Sequence, residues 1–197
     1  MTNKIDKSKI IVRNETKDDY FAAEKMIRRA FWDVYKPGAD EHYLTRQLRN
    51  HPDYIPELTR LAIYEGEIIG AIYYAKSKIV NGEKVYDVIT FGPLAVDPDF
   101  QKMGIGALLI RMTILEATDL GHKAIIIYGE PHYYPHLGFK PCQIYDIKTP
   151  DGTYLDALMA YELEDNYLID KAGIFMASDV YFDIKSEDLE AYDLAFR

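Results

Sequence analysis

The segment Phe91-Gly92-Pro93-Leu94-Ala95-Val96-Asp97-Pro98-Asp99-Phe100-Gln101-Lys102-Met103-Gly104-Ile105-Gly106 joins an apolar strand to a helix through a glycine-containing turn. Spaced glycines at a strand end let several backbone N–H groups point into one concavity, and the helix that follows adds the positive end of its dipole. Such a turn suits an anion, with phosphate the natural candidate. It is not a nucleotide-hydrolase loop, because Gly106 is followed by Ala107 and Leu108, with no lysine for terminal phosphates and no hydroxyl for magnesium. The dinucleotide-binding fingerprint is excluded too: Gln101 to Gly106 lacks its glycine spacing and lies far from the start of the chain.

A second segment is consistent with the first. Lys123 to Tyr128 reads as a short buried strand, followed by Gly129-Glu130-Pro131-His132-Tyr133-Tyr134-Pro135-His136-Leu137-Gly138-Phe139. The first motif, Gln101-x-x-Gly104-x-Gly106, resembles the acetyl-CoA pyrophosphate loop of the GNAT superfamily of N-acetyltransferases. The second, Tyr134-x-x-x-Gly138-Phe139, is similar to the element that follows in the same enzymes. The prelude Gly129-Glu130-Pro131-x-Tyr133-Tyr134 resembles a bacterial subgroup of that superfamily. The resemblance covers residues 10–163. It implies an α/β fold with a mixed, mainly antiparallel central sheet flanked by helices and a cleft for the cofactor. It also implies transfer of an acetyl group from acetyl-CoA to a primary amine by direct attack in a ternary complex. The competing reading is a noncatalytic acyl-CoA-binding regulatory or interaction protein.

With 197 residues the chain can bury a sizeable core, and 48% hydrophobic, 13% aromatic and 28% charged residues fit an ordered globule. The expected organisation is a flexible segment at 1–9, an acetyltransferase domain at 10–163 and a C-terminal extension at 164–197, packed on the domain or at an oligomer contact. The absence of a long apolar stretch leads to an expected cytoplasmic location and no membrane partner. With 23 basic and 32 acidic side chains, a net charge of −9 disfavours nucleic acid and favours a cationic acceptor: an amine-bearing small molecule, or a peptide or protein amine. Cys142 is the single cysteine, so no intrachain disulfide forms. Next to Pro141 it reads as a packing residue, and no metal is expected.

Along the chain, a strand at Ile10 to Arg13 precedes a helix at Asp19 to Trp32, whose Ala23, Ile27, Ala30 and Phe31 recur at helical spacing. A second helix spans Glu41 to Asn50, with Leu44 and Leu48 inward and Glu41, Arg46 and Arg49 nearer solvent. Leu58 to Tyr64, Ile68 to Ala75, Ile79-Val80 and Val85 to Phe91 form a meander with turns at Glu65-Gly66-Glu67 and Asn81-Gly82. The central helix carries the stripe Ile105, Leu108, Leu109, Met112 and Leu115, and late strands are expected at Phe139 to Cys142 and Leu155 to Leu163. The last residues combine the apolar run Gly173 to Met176 with helix-like sequence at Ser186 to Ala195. An exposed sheet edge there allows a homodimer.

For the chemistry, the resemblance implies that Leu94, Ala95 and Val96 meet the cofactor through their backbone. Gln101, Lys102, Met103, Gly104, Ile105 and Gly106 surround the pyrophosphate, and Tyr133 is counted with the cofactor-contacting residues. Tyr134 is the candidate general acid toward the departing thiolate, with packing or cofactor orientation as its competing role. His132 and His136 flank it, but Pro135 and the lack of a third ligand argue against zinc. Glu130 and Asp87 are the candidate bases, with a water route as the alternative. Trp32, Tyr35, His42 and Tyr43 are candidates to border the acceptor.

Overall fold

The computed structural model describes residues 5–182, 184 and 186–196. Of the segment expected to be flexible, residues 1–4 lie outside this part, and Lys7–Lys9 forms a short 3-10 turn capped by the Asp6 side chain. The strands are β1 (Ile11–Arg13), β2 (Arg60–Tyr64), β3 (Glu67–Asn81), β4 (Lys84–Val96), β5 (Ala124–Tyr128), β6 (Lys140–Pro141), β7 (Ile147–Lys148), β8 (Leu158–Glu162) and β9 (Gly173–Met176). The helices are α1 (Tyr20–Phe31), α2 (Glu41–Leu48), α3 (Ile105–Asp119) and α4 (Ser186–Asp193). The fold is mixed α/β. Its sheet has the hydrogen-bonded order β1-β2-β3-β4-β5-β8-β6, with β9 pairing both β3 and β7.

The chain divides into two compact units. The first comprises Met1–Tyr73, Pro93–Ile110 and Val180–Arg197. In it, β1 and β2 pair antiparallel (Val12 opposite Ala62), and β2 pairs antiparallel with the start of β3 through a register shift at Ala62/Ile63. The 3-10 turn Lys17–Asp19 that leads into α1 begins at a capping box in which the Thr16 N–H and hydroxyl donate to Asp19 at 2.8 and 2.7 Å. Arg13 adds two hydrogen bonds of 2.7 Å to the same carboxylate and holds it well below the usual carboxylate range. The helix buries Ala23, Met26, Ile27 and Ala30, an i, i+3, i+4, i+7 stripe. Gly70 lets β3 and α3 approach closely, since a β-carbon there would lie 2.8 Å from Ile105 Cγ2 and 3.2 Å from Leu109 Cδ1.

Arg49 departs from the sequence expectation. Its side chain is 3% exposed and pairs with the buried carboxylates Glu15 (2.9 and 2.7 Å) and Glu24, over the Tyr20 ring. Helical spacing places Arg49 one turn past Thr45, on the inward side. The Tyr73 hydroxyl donates to Glu15 at 2.5 Å and that of Tyr192, from α4, donates to Glu24. Once buried, these charges are kept by one another.

The second unit comprises Tyr74–Gly92 and Arg111–Asp179. In it β4 and β5 run parallel (Ile89 opposite Ile125), while β5 and β6 flank β8 antiparallel. Its core includes Ile79, Val88, Ile126, Cys142, Leu158, Leu168 and Phe175. Burial pushes the Cys142 thiol up to about 12, which leaves it an unreactive packing group. The expected strand at Phe139 to Cys142 is only two residues long. Pro141 lacks the N–H needed to extend pairing, and Cys142 opens a 3-10 turn. The segment expected as a C-terminal extension is divided: residues 164–179 belong to this unit and 180–197 to the first, with Asp183, Lys185 and Arg197 outside the described residues. Gly173 opens β9 because a β-carbon there would meet the Val80 carbonyl oxygen at 2.6 Å.

The stripe on α3 is also corrected at one end. Leu115 is 67% exposed, whereas Leu109, Thr113 and Ala117 are fully buried. At about 100° per residue Leu115 points away from the side shared by Thr113 and Ala117.

Candidate active site

The turn after β4 is braced from within the first unit. The buried Asp97 accepts a hydrogen bond from the Asp99 N–H (2.9 Å) and one from Arg29 of α1 (2.9 Å), and Arg29 also reaches Asp99 (2.6 Å). The Phe100 N–H closes a turn on the Asp97 carbonyl at 2.8 Å, and the Gln101 side-chain amide donates to the Val96 carbonyl at 3.3 Å. Two left-handed residues follow, Lys102 (φ 62°) and Gly104 (φ 86°), before α3 begins at Ile105. The first helical bond is from the Leu108 N–H to the Gly104 carbonyl, at 3.0 Å.

This backbone path has a clear electrostatic consequence. Among the described residues, the backbone N–H groups of Gln101, Lys102, Met103, Gly104, Ile105 and Gly106 have no acceptor within the protein. Six successive donors without a protein acceptor, two of them at the start of a helix, leave positive partial charge on this turn, which favours an anion. One cation beside it was not foreseen from the sequence. A β-carbon on Gly104 would lie 3.3 Å from Lys7 Nζ, so the turn at the chain's start brings an ammonium to the loop. Arg29 was also missed. No local pattern marks either residue, since both arrive from distant sequence. Before the loop, Ala95 is buried while Leu94 and Val96 are half-buried on β4.

The second motif is held within the other unit. The Gly129 N–H donates to the Ala157 carbonyl at 2.8 Å, and the Glu130 carbonyl accepts from the Tyr133 and Tyr134 N–H groups at 3.0 and 3.3 Å. Residues Tyr134–Leu137 form a 3-10 turn that ends at Gly138, whose φ of 96° returns the chain. The Phe139 N–H then bonds the Tyr134 carbonyl at 3.3 Å, and the two rings stack edge-on with centroids 5.5 Å apart. The spacing Tyr134-x-x-x-Gly138-Phe139 is thus one closed turn with an aromatic clasp. Phe91 of β4 completes the cluster, 5.9 Å from the Tyr134 ring and 6.0 Å from that of Phe139. Gly129 is required by the same ring: a β-carbon would come closer than 3.0 Å to Tyr134 Cδ2 and Cε2.

The other candidates are dispersed. The Glu130 side chain is exposed, and so are His132 and His136. Tyr133 is 40% exposed and packs on Tyr134 at 5.1 Å, with burial raising its phenol above the ordinary value. Asp87 lines a cavity of about 710 Å³ with Lys76, Ser77, Tyr86, Lys123 and Tyr167. Gly121 to Lys123 enter β5 at that cavity, whereas Tyr134 follows the far end of β5, about 17 Å along the strand. The structure does not bring Asp87 and Tyr134 together. Among the acceptor candidates, His42 is fully buried, 5.8 Å from the Tyr192 ring and 5.1 Å from Phe196, so it is a core residue. Trp32 is 42% and Tyr35 is 74% exposed.

A family model of the acetyltransferase (GNAT) domain matches residues 57–141, a span that holds both motifs. An uncharacterized N-acetyltransferase of Escherichia coli strain K12, YjhQ, is 38% identical over 88 residues, which are 44% of this chain and 48% of that protein. The chain therefore spans about half the length of the curated relative it matches. The fold is similar to the crystal structure of the E. coli GNAT family N-acetyltransferase YhbS in complex with CoA, with a TM-score of 0.79 and 20% identity over 90% of this chain and 94% of that one. A GNAT family acetyltransferase from Brucella melitensis in complex with acetyl-CoA gives a TM-score of 0.70 and 20% identity over 87% and 97% of the two chains. Residues 57–141 thus match the acetyltransferase (GNAT) domain, and the fold is similar to those of two GNAT family acetyltransferases.

Proposed function

We propose that this protein transfers an acetyl group from acetyl-CoA to a primary amine. The observation that carries the reading is the row of six unpaired backbone donors at Gln101 to Gly106, which is complementary to a pyrophosphate. Lys7 and Lys102 add positive charge, and Leu94, Ala95 and Val96 supply the strand backbone for the rest of the cofactor. The CoA and acetyl-CoA complexes of the two similar structures support the same ligand.

In this reading the neutral amine attacks the thioester carbonyl carbon. A C–N bond forms, the C–S bond breaks, the sulfur leaves as thiolate and the nitrogen loses a proton. Much of the rate comes from holding the two reactants together. The phenol of Tyr134 donates its proton to the thiolate, with Tyr133 beside it against the cofactor. Glu130 or a water takes the proton from the amine; Asp87 is assigned to the separate cavity.

Calorimetry with acetyl-CoA and with CoA tests the cofactor, and a folded preparation that binds neither at high micromolar concentration refutes it. An amine panel assayed for CoA release separates transfer from mere acyl-CoA binding. With a productive acceptor in hand, Tyr134→Phe is expected to keep acetyl-CoA affinity and lower turnover about tenfold or more. Unchanged turnover with chemistry rate-limiting would remove the proton from Tyr134.

A further inference from the structure

The turn ahead of β1 is held by its own hydrogen bonds. The Asp6 carboxylate accepts from the Ser8 N–H at 3.1 Å and from the Ser8 hydroxyl at 2.6 Å. The Lys9 N–H bonds the Asp6 carbonyl at 3.0 Å, and the Ile10 N–H bonds the Lys7 carbonyl at 3.2 Å. Strand β1 follows at once and ties the segment to the sheet, with Ile11 opposite Ile63. The Lys7 side chain thus leaves a fixed backbone.

Its ammonium lies 3.3 Å from where a β-carbon of Gly104 would stand, and so within about 5 Å of the Gly104 Cα, one carbon–carbon bond further on. Gly104 is exposed and is the fourth of the six residues whose N–H groups have no acceptor in the protein. The acids of this neighbourhood are already engaged. Asp97 and Asp99 accept from Arg29 at 2.9 and 2.6 Å, and Asp6 accepts from Ser8. Lys7 makes no ion pair and no side-chain hydrogen bond among the described residues. In a chain of net charge −9, an ammonium left without a carboxylate beside a row of amide donors is matched by an anion from outside the protein.

Taking Gln101 to Gly106 as the loop that holds the pyrophosphate, as in the proposed function, we propose that Lys7 is a cofactor-binding residue. Its ammonium donates to a pyrophosphate oxygen of acetyl-CoA beside Gly104, which makes the turn ahead of β1 part of the cofactor site. This contact differs from those of the loop amides in two respects. It carries a full charge, so salt weakens it more, and it comes from a side chain, so it can be removed without altering the loop.

The test is calorimetric titration of acetyl-CoA and of CoA into the full chain and into its Lys7→Gln, Lys7→Arg and Lys9→Gln variants, at about 50 and about 300 mM salt. Lys7→Gln should weaken acetyl-CoA about five- to tenfold at the lower salt and should lose part of the parent's salt dependence. Lys7→Arg keeps the charge and should stay within about twofold of the parent, and so should Lys9→Gln, which removes a charge from the same turn but not from the loop. Melting temperatures should match throughout, since Lys7 is exposed and its side chain has no protein partner among the described residues. The proposal is overturned if Lys7→Gln binds acetyl-CoA as the parent does, or if Lys9→Gln weakens binding as much, which would make the effect one of overall charge. In both cases binding by the parent leaves the cofactor reading intact. A folded parent chain that binds neither acetyl-CoA nor CoA refutes that reading and the role of Lys7 with it.

Discussion

Adding one methyl group at residue 129 should both destabilise the protein and displace Tyr134. Gly129 does not have a left-handed backbone, so alanine there carries no conformational penalty and the effect is purely steric. The new β-carbon would come closer than 3.0 Å to two carbons of the Tyr134 ring and lie 3.1 Å from Ile127 Cδ1. Ordinary carbon contacts are about 3.5–4.0 Å, so the ring must rotate or the turn must shift. The ring is held by Phe91 and Phe139, with centroids 5.9 and 5.5 Å away, so the displacement is resisted. Overpacking of this kind costs about 1–3 kcal/mol, or roughly 2–4 °C in melting temperature per kcal/mol for a chain of this size. Urea unfolding of Gly129→Ala, Tyr134→Ala and the double variant isolates the clash. Gly129→Ala should cost markedly less when the ring is already gone, by about 1–3 kcal/mol of coupling. Acetyl transfer by Gly129→Ala should fall on the order of tenfold to a hundredfold through misplacement of the phenol. If the two substitutions are additive within about 0.5 kcal/mol, Tyr134 does not pack on Gly129 and the account of the motif is wrong.

Two further expectations concern the first unit. Arg49→Met should destabilise by about 3–5 kcal/mol in denaturant titration, because Glu15 and Glu24 would be left buried without their cation; a loss below about 1 kcal/mol would show that water reaches them. Burial pushes His42 down to about 4, and its Nε2 lies 3.4 Å from Asp193. The folded state therefore binds fewer protons than the unfolded chain between those two titrations. Stability from this residue is complete above about pH 6.5 and is lost as the pH falls toward about 4, amounting to about 3 kcal/mol. His42→Gln should flatten that part of the pH–stability profile, and an unchanged profile would mean that other groups set it.

The two motifs could be read from sequence because each is local. The donors of Gln101 to Gly106 are unpaired for reasons confined to the loop: glycine tolerates the left-handed φ at residue 104, and the first N–H groups of a helix have no acceptor in the helix itself. Likewise, Tyr134, Gly138 and Phe139 are close in sequence, and one closed turn brings them together. Hairpins and amphipathic helices are legible for the same reason, and α1 and α2 begin and end within two residues of their expected limits. What the tertiary structure decided is everything that depends on partners far apart in the chain. Arg49 looks like a solvent-facing arginine until Glu15, Glu24 and Tyr73 converge on it. Lys7 belongs to a segment expected to be loose, yet its turn places it by Gly104. The four residues of β9 carry too little periodicity to mark a strand, and only pairing with Val80 and Lys148, distant in sequence, makes them one. Asp87 lies on the expected strand, but which end of β5 it faces is set by the parallel register of Ile89 and Ile125, and no local pattern encodes a pairing across thirty-five intervening residues.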